Sequence, residues 1–90
     1  MYRQLGTLKF FNESRDYGFI VADKDGQDVF YHYDDVAPTG LSREFLKNAK
    51  DNYCIRLSFN VLAYYGRYYL SKKAINVELV EVLNEPPVFK

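Results

Sequence analysis

Cysteine, histidine and tryptophan are almost absent from this sequence. Its 90 residues include one cysteine, one histidine and no tryptophan. A single cysteine cannot form an internal disulfide or a multi-cysteine zinc site. We therefore expect no metal and no cofactor, and the fold must be stabilised by its apolar core. A chain of this length is sufficient for one domain without covalent staples.

An excess of charge of either sign is also lacking, because 12 Lys and Arg residues balance 12 Asp and Glu residues. This balance excludes a uniformly basic protein that attracts polyanions through its overall field. No apolar run approaches the ~20 residues needed to cross a bilayer, and the first residues show no targeting signal. We therefore expect a cytoplasmic monomer with no membrane partner, and the lone Cys54 fits a reducing compartment.

Aromatic residues, in contrast, are abundant. Nine Tyr and seven Phe make up 18% of the chain, which is more than one small core needs. Some of these rings must therefore lie at the surface. Exposed rings in such number indicate a binding face.

Strand-like segments dominate the sequence. Alternating and β-branched or aromatic residues predict five strands, over 5–12, 17–22, 28–33, 53–62 and 68–82, the last one interrupted or bent near Lys72 and Lys73. Asp25-Gly26 is a strong hairpin signal between the second and third strands. Short strands with tight turns and little helix indicate an all-β fold, a small barrel.

One long connection and the C-terminal segment interrupt this pattern. Residues 41–50, between the third and fourth strands, predict a short helix with Ser42 as N-cap and Glu44 in its first turn. Residues 84–90 contain two prolines and cannot continue a central strand. We therefore expect one domain over residues 1–83 and a loose tail over 84–90.

Alternation along the second and third strands separates two faces. Aliphatic and small residues suit a barrel core, so Ile20, Ala22 and Val29 are expected to point inward. The other face then carries Tyr17, Phe19, Phe30 and His32 as one outward patch, with Lys9 and Arg15 nearby. Rings with adjacent cations bind single-stranded nucleic acid, since bases stack on rings and cations hold phosphates. Alternatively these rings are core residues, as phenylalanines on strands commonly are.

Four sequence motifs resemble the cold-shock domain family. They are GTLKFFN at 6–12, RDYGFI at 15–20, DVFYHY at 28–33 and KAINV at 73–77. The second and third resemble the two RNP-like motifs of that family, and the match covers about residues 6–80. The resemblance implies a five-stranded antiparallel Greek-key barrel of the OB type that binds single-stranded RNA or DNA.

The resemblance also implies roles for individual residues. Lys9, Asn12 and Arg15 would make polar or phosphate contacts, and Asp28 would support the hairpin and accept hydrogen bonds from a base edge. The rings that would stack on bases are Phe10, Tyr17, Phe19, Phe30, His32 and Tyr33.

Three positions depart from the family pattern. Phe10 stands where the family has Trp, so stacking there should be weaker. Asp16 stands where the family usually has Gly, which places a negative charge beside the rings and removes a residue suited to positive φ. Tyr31 replaces a typical Val on the core side, so local packing must differ.

Two further candidates leave alternatives open. Phe45 lies where the family often has a loop ring that stacks a further base, but its role as an apolar anchor of the short helix, paired with Leu41 or Leu46, is favoured over that one. Four tyrosines and Arg67 surround the turn at residues 64–69. They could extend the ring face, with Arg67 contacting nucleic acid, or the tyrosines could pack across the hairpin.

These features predict a protein that binds single-stranded nucleic acid, RNA in preference to DNA, with low sequence specificity. The cellular role would be an RNA chaperone or a regulator of messenger RNA translation or stability. A protein-interaction module using the same rings stays an alternative. No readable motif places a nucleophile beside His32, and the carboxylates show no catalytic pairing, so we predict no enzymatic activity.

Overall fold

The computed structural model describes residues 3–66 and 70–89. Its five strands are β1 (Gln4–Asn12), β2 (Tyr17–Ala22), β3 (Asp28–His32), β4 (Cys54–Tyr65) and β5 (Leu70–Leu83). The connection between β3 and β4 holds two α-helices, α1 (Tyr33–Val36) and α2 (Arg43–Asn52), separated by a short 3-10 helix (Ala37–Thr39).

The strands form a closed barrel in the order β1-β2-β3-β5-β4, and β4 completes the ring by pairing with β1. β3 and β5 run parallel where Phe30 lies beside Lys73. The pairs β1–β2, β2–β3 and β4–β5 are antiparallel. The predicted five-stranded barrel, with a short helix between the third and fourth strands, is confirmed. Closure removes the exposed strand edges that an open sheet would leave.

The barrel core follows the alternation of β2 and β3. Ile20, Ala22 and Val29 are buried, as predicted. Tyr31 is fully buried as well, and its hydroxyl donates a hydrogen bond to the backbone carbonyl of Phe10 at 3.2 Å. Other strands and α2 complete the core with Leu8, Phe11, Leu46, Ala49, Ile55, Leu57, Phe59, Ala74 and Val77.

A bulge in β1 changes which side chains face out. Leu8 lies opposite Ile20, but Phe10 lies opposite Phe19, so Lys9 is an extra residue in the ladder. Strict alternation would turn Phe10 toward the same side as the buried Leu8. The bulge instead leaves Phe10 half-buried on the outer face.

The third strand is shorter than predicted, because Tyr33 begins α1 rather than ending β3. His32 is the N-cap of this helix. Its Nδ1 accepts a hydrogen bond from the backbone N–H of Asp34 at 3.1 Å, and its own N–H donates to the Asp35 carboxylate at 3.2 Å. These reciprocal bonds satisfy donors that a helix start leaves free.

The predicted helix in the long connection is present as α2, shifted two residues along the chain. Ser42 is its N-cap, as predicted, and accepts a hydrogen bond from the Phe45 backbone N–H at 3.1 Å. Leu46 and Ala49 are fully buried, so packing against the barrel stabilises a helix that would be marginal alone.

The predicted interruption of the last strand near Lys72 and Lys73 is wrong, because β5 is continuous there. The pairing of β5 with β4 is irregular at two other points, and one of them is at Asn76, whose φ is 52°. Ser58 and Asn60 of β4 are separated by one residue, whereas their two partners in β5 are separated by two, so β5 has an extra residue here. Asparagine adopts left-handed backbone more readily than most residues, which permits the bend.

The segment after β5 contains no helix or strand as far as Phe89. Val88 and Phe89 line a cleft together with Thr7 and Val21, so this segment returns to the outer face of β1 and β2. The domain boundary at residue 83 stays a prediction. Nowhere in 3–66 or 70–89 is there a helix with the length and apolarity to span a membrane.

Candidate functional site

Four aromatic rings from β1, β2 and β3 meet on the outside of the barrel. Phe10, Tyr17, Phe19 and Phe30, here called the ring platform, are all half-buried. Their neighbouring ring centroids lie 5.6–6.3 Å apart. Such spacings are those of interacting aromatic pairs. The predicted outward side of Tyr17, Phe19 and Phe30 is therefore observed.

Strand register holds these rings together. Phe19 lies opposite Phe10 on one side and Phe30 on the other, and Tyr17 lies opposite His32. Directly opposed side chains on one face of a sheet are in contact distance. The rings therefore interact across three adjacent strands rather than along one.

Gly18 separates the platform from the core. It is buried between Tyr17 and Phe19, and a Cβ there would lie 2.1 Å from the carbonyl oxygen of Phe10 and 2.5 Å from the Tyr31 hydroxyl. The absence of a side chain lets the Tyr31 ring lie beneath β1 and β2. Burial raises the pKa of Tyr31 above its usual value, so this hydroxyl remains a neutral donor.

His32 and Tyr33 lie at one end of the platform and have partners within the protein. His32 is half-buried, and its Nδ1 caps α1. The Tyr33 hydroxyl donates to the Leu41 carbonyl at 2.9 Å, and the Arg43 guanidinium lies 4.0 Å from the centre of its ring. Arg43 therefore covers one face of Tyr33, a ring predicted to stack on a base.

The polar residues predicted at the site lie along β1 and its turn. The Lys9 ammonium is 3.1 Å from the Asp28 carboxylate, and both side chains are partly exposed. Asn12 shapes the turn, since its Oδ1 accepts from the Ser14 hydroxyl at 2.8 Å and from the Arg15 backbone N–H at 3.2 Å. Arg15 itself is exposed, and within residues 3–66 and 70–89 no acidic side chain pairs with it.

Asp16, directly before Tyr17 of the platform, is held in an ion pair. Its φ is 57°, in the left-handed region that favours glycine. Its two carboxylate oxygens each accept from the Arg43 guanidinium at 2.9 Å. This donation lowers the pKa of Asp16 from its usual value. Asp16 is therefore paired with a cation and does not face the platform as a free negative charge.

Arg43 was not among the residues predicted from the sequence to belong to the site. No pattern of neighbouring residues in the sequence indicates its contact with Asp16. It lies 27 residues from Asp16 along the chain and comes directly after the N-cap of α2. Only the docking of α2 on the barrel brings its guanidinium to the Asp16 carboxylate.

Two predicted residues are not part of the ring platform. Phe45 stacks on Tyr53 with 4.8 Å between ring centroids and packs against the core, so its ring has partners within the protein. Its contact with nucleic acid stays a prediction, and its packing against the core, which includes Leu46, agrees with the alternative role as an anchor of the helix. Arg67 lies outside the described residues.

The platform presents flat apolar faces with basic groups at its margin, which suits planar ligands that carry negative charge. No cluster of three or more His, Cys, Asp or Glu side chains suited to a metal ion occurs in the part of the chain that the structure describes.

Comparisons with known proteins find one family and several relatives. A sequence model of the family described as "'Cold-shock' DNA-binding domain" matches residues 4–58. The chain is 42% identical over 39 residues to the cold shock-like protein CspA of Vibrio cholerae, covering 43% of this chain and 56% of that protein.

Two further relatives give similar values. Identity is 46% over 36 residues to the cold shock-like protein CspA of Shewanella violacea, covering 40% of this chain and 51% of that protein. It is 46% over 35 residues to the cold shock protein ScoF of Streptomyces coelicolor, covering 39% and 52% respectively. The chain thus spans about half the length of the curated relatives it matches.

Proposed function

Because this chain belongs to the cold-shock domain family, we propose that it binds single-stranded nucleic acid by stacking unpaired bases on the ring platform. The observation that carries this proposal is the contact of four outward rings across β1, β2 and β3. Every base has a stacking face, so low sequence specificity follows. RNA is the proposed target, since unpaired bases are found mainly in its loops and bulges.

The proposed activity is that of a passive RNA chaperone. Stacking contributes about 1–3 kcal/mol per base, so three or four stacked bases would offset the pairing of a short hairpin without ATP. Binding to the unpaired state alone shifts the equilibrium by mass action. Regulation of messenger RNA translation or stability would result where the melted element controls access to the message.

Phosphate contact must come from individual side chains, because the net charge is zero. Lys9 and Arg15 are partly or fully exposed beside the platform. Lys9 can exchange its Asp28 partner for a phosphate at small cost, since an exposed ion pair contributes little. Arg15 has no such partner to lose among the residues that the structure describes.

Salt dependence tests this proposal against an apolar protein interface. If Lys9 and Arg15 each bind one phosphate, the slope of log K for oligo(U) against log salt will be about −1.4. Lys9→Gln and Arg15→Gln will each make that slope shallower by about 0.7. Fluorescence titrations at several NaCl concentrations measure both quantities.

Lys50→Gln provides the matched control, because Lys50 is exposed in the last turn of α2. It removes the same charge without touching the platform, so its slope should equal that of the unmodified protein. A flat salt response in the unmodified protein would instead favour a protein partner on the same rings. Tighter binding of oligo(dU) than of oligo(U) would contradict the preference for RNA.

Replacing Asp16 by glycine should tighten binding. Asp16→Gly frees the Arg43 guanidinium, and glycine adopts the φ of 57° without strain. One released cation near the platform can add one phosphate contact, which will steepen the salt slope for oligo(U) by about 0.7. The same titration series measures it.

Asp16→Asn is the control that separates charge from backbone. Asparagine tolerates left-handed backbone but carries no charge, so it should tighten binding almost as much as glycine. Adding Arg43→Gln to Asp16→Gly should abolish the gain. Weaker binding by Asp16→Gly would mean that the Asp16–Arg43 pair orients the site rather than masking a cation.

A further inference from the structure

A cleft lies along α2, on the side of the helix that carries Phe45. Its volume is about 430 Å³, within the range of small-molecule sites. Phe45 and Tyr53 line it, and both are half-buried, with 22° between the planes of their stacked rings. Neither ring belongs to the ring platform. The other lining residues are Ser42, Glu44, Asn48 and Asn52.

Helix geometry divides the side chains of α2 between two flanks. Residues four apart lie on the same side of an α-helix, one turn above the other. The flank beside Phe45, which borders the cleft, therefore carries Glu44, Asn48 and Asn52. The opposite flank carries the basic residues of the helix, Arg43, Lys47 and Lys50. Buried Leu46 and Ala49 lie between the two flanks and face the barrel.

The basic flank of α2 contacts the turn between β1 and β2. The Arg43 guanidinium is 2.9 Å from the Asp16 carboxylate, and the Lys47 ammonium is 3.5 Å from the Glu13 carboxylate. This turn leads directly into Tyr17 of the ring platform. The cleft lies on the other flank, and therefore on the side of α2 away from this turn.

The cleft offers one negative charge and several hydrogen-bond acceptors. Glu44 is the one charged residue among the described residues that line it, and none of their basic side chains forms an ion pair with it. The Asn52 Nδ2 donates to the backbone carbonyl of Asn48 at 2.8 Å, which leaves the Asn52 Oδ1 as an acceptor. Charge complementarity therefore favours a cation in this cleft over a phosphate.

We propose that this cleft binds the guanidinium group of an arginine side chain from a protein partner. A guanidinium is planar and stacks on aromatic rings, which Phe45 and Tyr53 supply. All of its N–H groups donate and none accepts, which suits the Glu44 carboxylate and the neighbouring amide oxygens. Arginine is also one of the residue types that contribute most to protein interfaces. The site does not depend on the proposed function, because it uses no residue of the platform.

The peptide acetyl-Gly-Arg-Gly-amide, whose only charge is the guanidinium, tests this proposal. Titrated into isotope-labelled protein, it should produce saturable shifts in the backbone amide NMR signals of residues that line the cleft. Glu44→Gln should weaken its binding about threefold, because one exposed ion pair is lost. Phe45→Leu should weaken it by a similar factor, because leucine keeps the apolar packing but removes the ring.

Two controls accompany these variants. Glu85→Gln makes the same charge change at an exposed position after β5, so its affinity should equal that of the unmodified protein. Acetyl-Gly-Lys-Gly-amide carries the same charge without a planar group and should bind at least threefold more weakly. The amide spectrum of Phe45→Leu without peptide shows directly whether that half-buried position still folds, and Glu44→Gln changes only an exposed side chain.

The outcomes separate this site from the alternatives. Equal affinity of Glu44→Gln and the unmodified protein, or equal affinity for the arginine and lysine peptides, would overturn the guanidinium site. If uridine 5′-monophosphate shifts the same amides and the arginine peptide does not, Phe45 binds a nucleotide and the proposal is wrong. Saturating oligo(U) should leave the peptide affinity unchanged, since the two ligands occupy different surfaces, and competition between them would contradict this.

Discussion

Replacing both Phe19 and Phe30 by alanine will weaken binding to oligo(U) by about 30-fold or more. The two rings lie opposite each other at the centre of the platform, with 6.2 Å between their centroids. If each ring stacks one base at about 1 kcal/mol, the pair contributes about 2 kcal/mol, which corresponds to that ratio. Isothermal titration calorimetry with the unmodified and double-variant proteins measures the loss.

Folding of the double variant must be established independently, because both rings are half-buried. The far-UV circular dichroism spectrum should stay that of the unmodified protein. The matched control replaces Leu5 and Val80, which are about half exposed and lie outside the platform, by alanine. That variant should bind as the unmodified protein does. A folded Phe19→Ala/Phe30→Ala protein with unchanged affinity would refute stacking on the platform.

The faces of β2 and β3 could be predicted from the sequence because the side-chain period of a strand is fixed at two. Once Ile20 and Val29 are assigned to the core, the positions of Phe19 and Phe30 follow. The N-cap of α2, Ser42, could also be predicted from the sequence, because capping depends only on residues within one turn of the helix start. Both predictions use only neighbours along the chain.

Features that depend on contacts distant along the chain could not be predicted in this way. Alternation along β1 would turn Phe10 toward the core side, and the bulge at Lys9 reverses this. Only the resemblance to the cold-shock domain family placed Phe10, rather than Phe11, among the stacking rings. The pairing of Asp16 with Arg43 depends on how α2 docks on the barrel.

Replacing Gly18 by alanine is expected to have the largest effect on stability, lowering the free energy of unfolding by about 3 kcal/mol or more. The added Cβ would lie 2.1 Å from the Phe10 carbonyl oxygen, which belongs to the backbone of β1 and cannot rotate away. Such a change is a large fraction of a small domain's total stability. Urea unfolding followed by circular dichroism measures it.

Gly40→Ala is the matched control, because Gly40 has a φ of 86° but, its chain neighbours aside, no atom of the described residues lies within 4 Å of an added Cβ. Its cost should be limited to the backbone conformation, about 1–2 kcal/mol. Tyr31→Phe should cost about 1 kcal/mol through its lost hydrogen bond, and it should not rescue Gly18→Ala, since the Phe10 carbonyl remains. Rescue by Tyr31→Phe would mean that the Tyr31 hydroxyl, and not the β1 backbone, sets the limit. If Gly18→Ala folds, β1 must shift and carry Phe10 with it, so weaker oligo(U) binding should accompany the loss of stability.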